Sequence, residues 1–148
     1  MSKHFVISAV AVIPPSTLQL SYADGQHFVL DLACVIDRFP ALARLSTPSV
    51  FASAEIGDGG MSIIWDGDDE LELAADNLRA RAIEQADGFS HEFIWNWMAK
   101  NQLTLDDAAR AIGVSRRMLA YYRSGKNPVP RTVALACIGW EAGKKLAA

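Results

Sequence analysis

Leu18, Leu20 and Tyr22 alternate with Gln19 and Ser21, and Phe28, Leu30 and Leu32 resume the alternation beyond Asp24-Gly25. A period of two puts such residues on one face of a half-buried strand. Asp-Gly favours a tight turn, so residues 17–32 are predicted to form a β-hairpin. Upstream, Phe5 to Ile13 is apolar apart from Ser8 and closes at Pro14-Pro15, which reads as a buried strand. Residues 32–45 suggest helical turns broken at Pro40, and Thr47-Pro48 suits a helix start with proline in the first position. Gly57-Asp58-Gly59-Gly60 marks another turn, after which Met61, Ile63 and Trp65 share a strand face. Residues 73–86 look helical and stop at Gly88, a suitable C-terminal glycine.

From His91 the period changes. Phe93, Ile94, Trp97 and Met98 recur at helical spacing and predict a helix over 91–100. Thr104-Leu105-Asp106-Asp107 resembles a capping box with Asp107 in place of the usual Glu or Gln, and its acids favour the positive end of a helix. That helix runs to Ile112 with Leu105, Ala108, Ala109 and Ile112 on one face. Gly113-Val114-Ser115 then supplies a residue free to take positive φ, an apolar plug and an N-cap. A third helix, Arg116 to about Arg123, turns Leu119 and Tyr122 inward and ends at Ser124-Gly125. The pattern predicts an α+β domain over residues 1–88 and an all-α domain over 89–148, with the break at Ala86-Asp87-Gly88.

Charge follows the same division. Residues 1–89 hold five basic against thirteen acidic residues, a balance of −8, whereas 90–148 hold nine against four, a balance of +5. Such asymmetry suggests that one half meets a polyanion. With 148 residues, 51% hydrophobic and 21% charged, the chain belongs among globular proteins. Its longest apolar stretch, Phe5 to Ile13, falls far short of the roughly 20 residues a spanning helix needs. No transmembrane segment is expected, and Lys3 alone with no cleavage site does not make a signal peptide. Cys34 and Cys137 lack ligand spacing, so neither a disulfide scaffold nor a zinc finger is supported. Both read as reduced packing residues of a cytoplasmic protein.

Candidate chemistry in the first half does not assemble. From Asp66, an EF-hand loop would need glycine at position 6 and glutamate at position 12, where this chain has Leu71 and Asn77. His27 and Asp31 share a strand face near Cys34, but four residues of strand separate side chains by roughly 13 Å, against hydrogen-bond reach of about 3 Å. His4 and His91 have no metal-ligand spacing. The residues give no catalytic site, no metal and no cofactor, and the expectation is a protein that is not an enzyme.

Two resemblances add to this reading. Ser21-Tyr22-Ala23-Asp24-Gly25, Asp31-Leu32, the run from Leu45 to Phe51, and Trp65 followed by an acidic loop and Asn77-Leu78 make residues 5–85 resemble the small bacterial domain-of-unknown-function family numbered 2442. It implies a small α+β fold and no biochemical role, although members occur beside helix-turn-helix segments. Ala109, Gly113, Val114, Leu119 and Tyr122, with Gly125-Lys126-Asn127-Pro128 and Val129-Pro130 behind them, resemble the lambda-repressor-like (Xre-type) DNA-binding family over about residues 91–146.

That resemblance implies an all-α lambda-repressor-like helix-turn-helix domain after the α+β domain. It implies sequence-specific double-stranded DNA binding by a transcriptional regulator. Arg116, Arg117 and Tyr121 would face base edges; Ser115, Arg123 and Lys126 would meet phosphate, with Lys100 and Arg131 as weaker candidates. Position 123 is Arg where many members carry an acid. Members often dimerise through a fifth helix, and Ala142 to Ala148 is short and weakly apolar, so a homodimer would form through the N-terminal domain. Trp97 and Trp140 lie on core faces, whereas Trp95 lies off them and suggests a domain or subunit contact. The alternative is a protein-interaction or antitoxin-like module whose acidic N-terminal domain binds a basic partner.

Overall fold

Strands β1 (Ile7–Ile13), β2 (Thr17–Tyr22) and β3 (His27–Asp31) form an antiparallel meander in that order. The computed structural model describes residues 2–147, which divide after Gln85 into two units, each with a core of its own. The predicted hairpin is present: Leu18 pairs with Leu30 and Leu20 with Phe28, and Gly25 turns the chain at φ +90°. Leu18, Leu20, Tyr22 and Leu30 are buried, as their alternation requires. At Asp31 the outer edge of β3 is met by a side chain. Gln85 accepts from the Asp31 N–H at 2.8 Å and donates to the Asp31 carbonyl at 3.0 Å, so its amide stands in for a further strand.

Helix α1 (Ala33–Arg38) and a 3₁₀ turn (Pro40–Ser46) carry Ile36, Leu42 and Leu45 onto this core, with the break falling before Pro40. Thr47 precedes the short helix α2 (Pro48–Phe51), yet its side chain makes no capping bond. A second meander follows: β4 (Glu55–Ile56), β5 (Ser62–Trp65) and β6 (Asp68–Ala74). Arg44 reaches Asp66 at 2.6 Å and Asp68 at 2.7 Å, holding the β5–β6 turn. Gly60 sits at φ +74°, and a Cβ there would lie 2.6 Å from the Ile7 carbonyl oxygen. Only glycine satisfies both the left-handed backbone and the close approach. Helix α3 (Ala75–Gln85) packs Leu78 and Ala82 onto the same core, and the Tyr22 hydroxyl donates to the Ala75 carbonyl at 2.7 Å. Burial pushes that phenol well above its ordinary range.

The second unit contains α4 (His91–Lys100), α5 (Leu105–Ile112), α6 (Arg116–Ser124) and α7 (Arg131–Ala147). Its core gathers Ile94, Trp97 and Met98 from α4, Ala108 and Ala109 from α5, Leu119 and Tyr122 from α6, and Val133 and Cys137 from α7. Trp140 meets Trp97 edge-on at 5.7 Å, as the core reading of both indoles expects.

The expected fold class, an α+β domain followed by an all-α lambda-repressor-like helix-turn-helix domain, is overturned. The strands form two separate three-stranded antiparallel sheets, at the amino terminus and in the middle of the chain, with α1 and α2 between them and the remaining helices after them. The second sheet escapes the hydrophobic pattern because β6 is built largely of carboxylates: only Leu71 is buried, and cross-strand pairing with β5 makes the strand. The same pairing takes Leu73 and Ala74, so α3 begins at Ala75 and not at residue 73. At the carboxy terminus, α7 is one unbroken helix through Gly139 and Gly143. A mid-helix glycine costs about 1 kcal/mol against alanine without breaking the helix, and here Val133, Ala134 and Cys137 anchor it.

Three smaller expectations also change. Phe5 to Ile13 is not a buried strand: Phe5 lies in a 3₁₀ turn, β1 is an edge strand, and Ile7 is its one buried residue. Met61 precedes β5 and is 43% exposed while Ile63 and Trp65 are buried. Cys34 is exposed, because the short α1 turns Ile36 inward in its place; Cys137 is buried, and burial pushes its thiol up to about 11.

Candidate nucleic-acid interface

Two local caps and one glycine set the angle between α5 and α6. The Thr104 hydroxyl accepts from the Asp107 N–H at 3.1 Å, and the Ser115 hydroxyl accepts from the Met118 N–H at 3.1 Å. Each satisfies an N–H group that the first turn of a helix leaves without a partner. Gly113 stands at φ +73°, and the Val114 N–H returns to the Ala109 carbonyl at 3.1 Å. The chain therefore reverses in three residues. Ala108 and Ala109 are small enough for close approach, and Leu119 and Tyr122 fill the contact from α6. With those two inward, the geometry of the helix sends Arg116 and Arg117 outward from its first turn.

The six residues singled out from the sequence fall into distinct settings. Arg116 is exposed, and its Nε lies 3.2 Å from Asp106 in the first turn of α5. Arg117, Tyr121 and Lys126 come together. Arg117 Nε donates to the Tyr121 hydroxyl at 2.8 Å, its guanidinium carbon lies 5.5 Å from the ring centroid, and Lys126 Nζ lies 4.3 Å from the same centroid. The Arg117 hydrogen bond draws the Tyr121 phenol below its ordinary value, and Lys126 adds to the effect. Arg123 is separate, with its guanidinium 4.7 Å from the ring of Trp95 on α4. The Ser115 oxygen is occupied as an acceptor by its cap, which leaves its own hydrogen to donate.

Lys100 and Arg131 lie outside this group: Lys100 holds Glu141 at 2.6 Å, which keeps that carboxyl below its usual range, and Arg131 opens α7. Spacing alone does not foretell two of these contacts. Trp95, half exposed, gives Arg123 an aromatic floor, and Asp106 restrains Arg116. The useful signal for Trp95 is its place off the apolar face of α4.

In the first unit, the histidine, aspartate and cysteine considered for catalysis are held apart by different partners. His27 Nδ1 lies 2.8 Å from the Ser21 hydroxyl, while Asp31 accepts from Ser16 at 2.7 Å and from the Ala33 N–H at 2.9 Å, contacts that lower its pKa. Cys34 borders an open cleft of about 300 Å³ with Ser16 and Asp37. Among the described residues no three histidine, cysteine or carboxylate side chains converge to hold a metal ion, and no helix is long and apolar enough to cross a membrane.

The architecture is shared with a solved protein. The crystal structure of "Putative DNA Binding Protein NE0471" from Nitrosomonas europaea matches with a TM-score of 0.86 at 38% sequence identity, covering 96% of this chain and 91% of that one. The chain belongs to the same family as that protein. No family model matches the chain, and no curated protein matches it.

Proposed function

We propose that this protein binds double-stranded DNA sequence-specifically through the major groove, with α5 and α6 acting as a helix-turn-helix, and that it regulates transcription in the cytoplasm. The observation that carries the reading is the exposed, capped start of α6, where Arg116 and Arg117 project beside Tyr121 and Lys126. A recognition helix presents its N-terminal residues to base edges while neighbouring groups grip phosphate. Arg116, Arg117 and Tyr121 take the base-facing positions; Ser115, Arg123 and Lys126 take phosphate. The balance of +5 over residues 90–148 and the DNA-binding description of the Nitrosomonas relative support this reading. Two copies, joined through the first unit, would read half-sites about 34 Å apart.

Fluorescence anisotropy of the full chain tests it, using duplexes selected from a randomised pool, scrambled competitor and a salt titration. Arg116→Ala or Arg117→Ala is expected to weaken specific binding by about 1–3 kcal/mol. Lys126→Ala should mainly reduce the slope of log affinity against log salt by about 1. Unchanged discrimination in both arginine variants would overturn the assignment of α6.

A further inference from the structure

We propose that Tyr121 is a positioning residue: its hydroxyl holds Arg117 so that the two terminal nitrogens of the guanidinium project as a fork onto O6 and N7 of one guanine. This rests on α6 being the helix that enters the groove, and it changes the task given to Tyr121 there, from touching a base to aiming the residue that does.

The argument begins with the donors. A guanidinium carries five N–H groups in one plane, and an end-on bidentate contact uses those on Nη1 and Nη2. In Arg117 the remaining donor, Nε–H, is the one that meets Tyr121, at 2.8 Å. Residues i and i+4 are neighbours on a helix face, so the bond forms without distorting α6. It occupies the donor the fork does not need.

The acceptor matters as much as the donor. Arg116 also binds through Nε, but to the carboxylate of Asp106, which offsets its charge. The phenol orients Arg117 while leaving its positive charge in place. Tyr121 is itself held: Lys126 Nζ lies 4.3 Å from the ring centroid, and the Asn127 N–H donates to the Tyr121 carbonyl at 3.2 Å, closing the following turn back onto α6. An arginine fixed in this way has less rotamer freedom to lose when it binds than one free in solvent. Guanine is the base that offers two acceptors side by side in the major groove, which is what such a fork requires.

The test uses the full chain and a duplex selected from a randomised pool. At one position of the selected site, replacing guanine should weaken wild-type binding about 5- to 150-fold, the range of a bidentate contact, and Arg117→Ala should abolish that preference. Tyr121→Phe keeps the ring and loses the acceptor. It should reduce the preference about 2- to 10-fold, the worth of one hydrogen bond, with circular dichroism and salt slope unchanged. A duplex carrying 7-deazaguanine at that position should bind wild type more weakly and Arg117→Ala no differently, an arm that needs no Tyr121 variant. Full guanine preference in a folded Tyr121→Phe overturns the proposal. So does a loss of about one in salt slope with preference intact, which would mean that Tyr121 steers a neighbouring cation onto phosphate and not the fork onto guanine. Duplex binding with no guanine that depends on Arg117 overturns it while leaving α6 as the recognition helix; no duplex binding by wild type removes both.

Discussion

Arg79 ties together segments of the first unit that are distant in the chain. Its side chain, 11% exposed, meets Asp24 at 2.9 Å, donates to the His4 carbonyl at 2.7 Å, and lies about 5 Å from the ring centroids of Tyr22 and Phe28. Burial opposes the Asp24 charge, yet the Arg79 contact and the Gln26 N–H together lower that carboxyl's pKa. A carboxyl lowered in the folded state adds stability above its unfolded pKa, near 4, and loses it as pH falls through the folded value. Arg79→Met is therefore expected to cost about 2–4 kcal/mol at neutral pH, somewhat less than a fully buried pair. In urea denaturation the gap from wild type should narrow below about pH 4. Tyr121 gives a second residue-scale expectation. Ultraviolet titration should find a phenol ionising below the ordinary tyrosine value of about 10, absent in Tyr121→Phe and moved upward in Arg117→Ala. Neither partner is legible in the sequence: Arg79 lies 55 positions from Asp24, and although Arg117 and Tyr121 are one turn apart, nothing in the spacing says which donor is used.

At the scale of elements, legibility depends on whether the deciding interactions are local. The bounds of α5 and α6 follow from Thr104, Gly113, Ser115 and Gly125, whose effects reach only three or four residues. The sheets differ. β2 and β3 announce themselves by alternation, whereas β6 becomes a strand through pairing with β5, and β1, beyond Ile7, is only partly covered. The junction of α5 with α6 carries its own prediction. Asp106 sits in the first turn of α5, where a negative charge favours the helix, and also holds Arg116. An exposed ion pair contributes about 0–1 kcal/mol and is cheap to open. Asp106→Asn should raise duplex affinity about 2- to 5-fold by releasing Arg116 and removing a negative charge. It should also lower helix stability by about 0.3–1 kcal/mol. Anisotropy and thermal melting measure the two effects; an unchanged or weaker affinity would mean that Arg116 stays clear of DNA.

At the scale of the whole molecule, the two units carry opposite net charge and separate cores. A polyanion is attracted by one and repelled by the other, and that repulsion acts over a Debye length of about 30 Å at 0.01 M salt and about 8 Å at 0.15 M. A chain beginning at Ala86 should bind duplex DNA more tightly than the full chain at low salt, with the difference shrinking as salt rises. Equal affinity at low salt would show that the acidic unit is not felt at the DNA. The hairpin, the capped helices, the division of charge and the basic start of α6 are legible in the order of residues, because periodicity, caps and composition are properties of neighbouring residues. That acidic β6 joins a second sheet, that Cys34 faces outward, and that Arg116 meets a carboxylate while Arg123 lies over an indole emerge on folding. Those outcomes depend on which distant segments pack together, and a local pattern of polar and apolar positions does not contain that information.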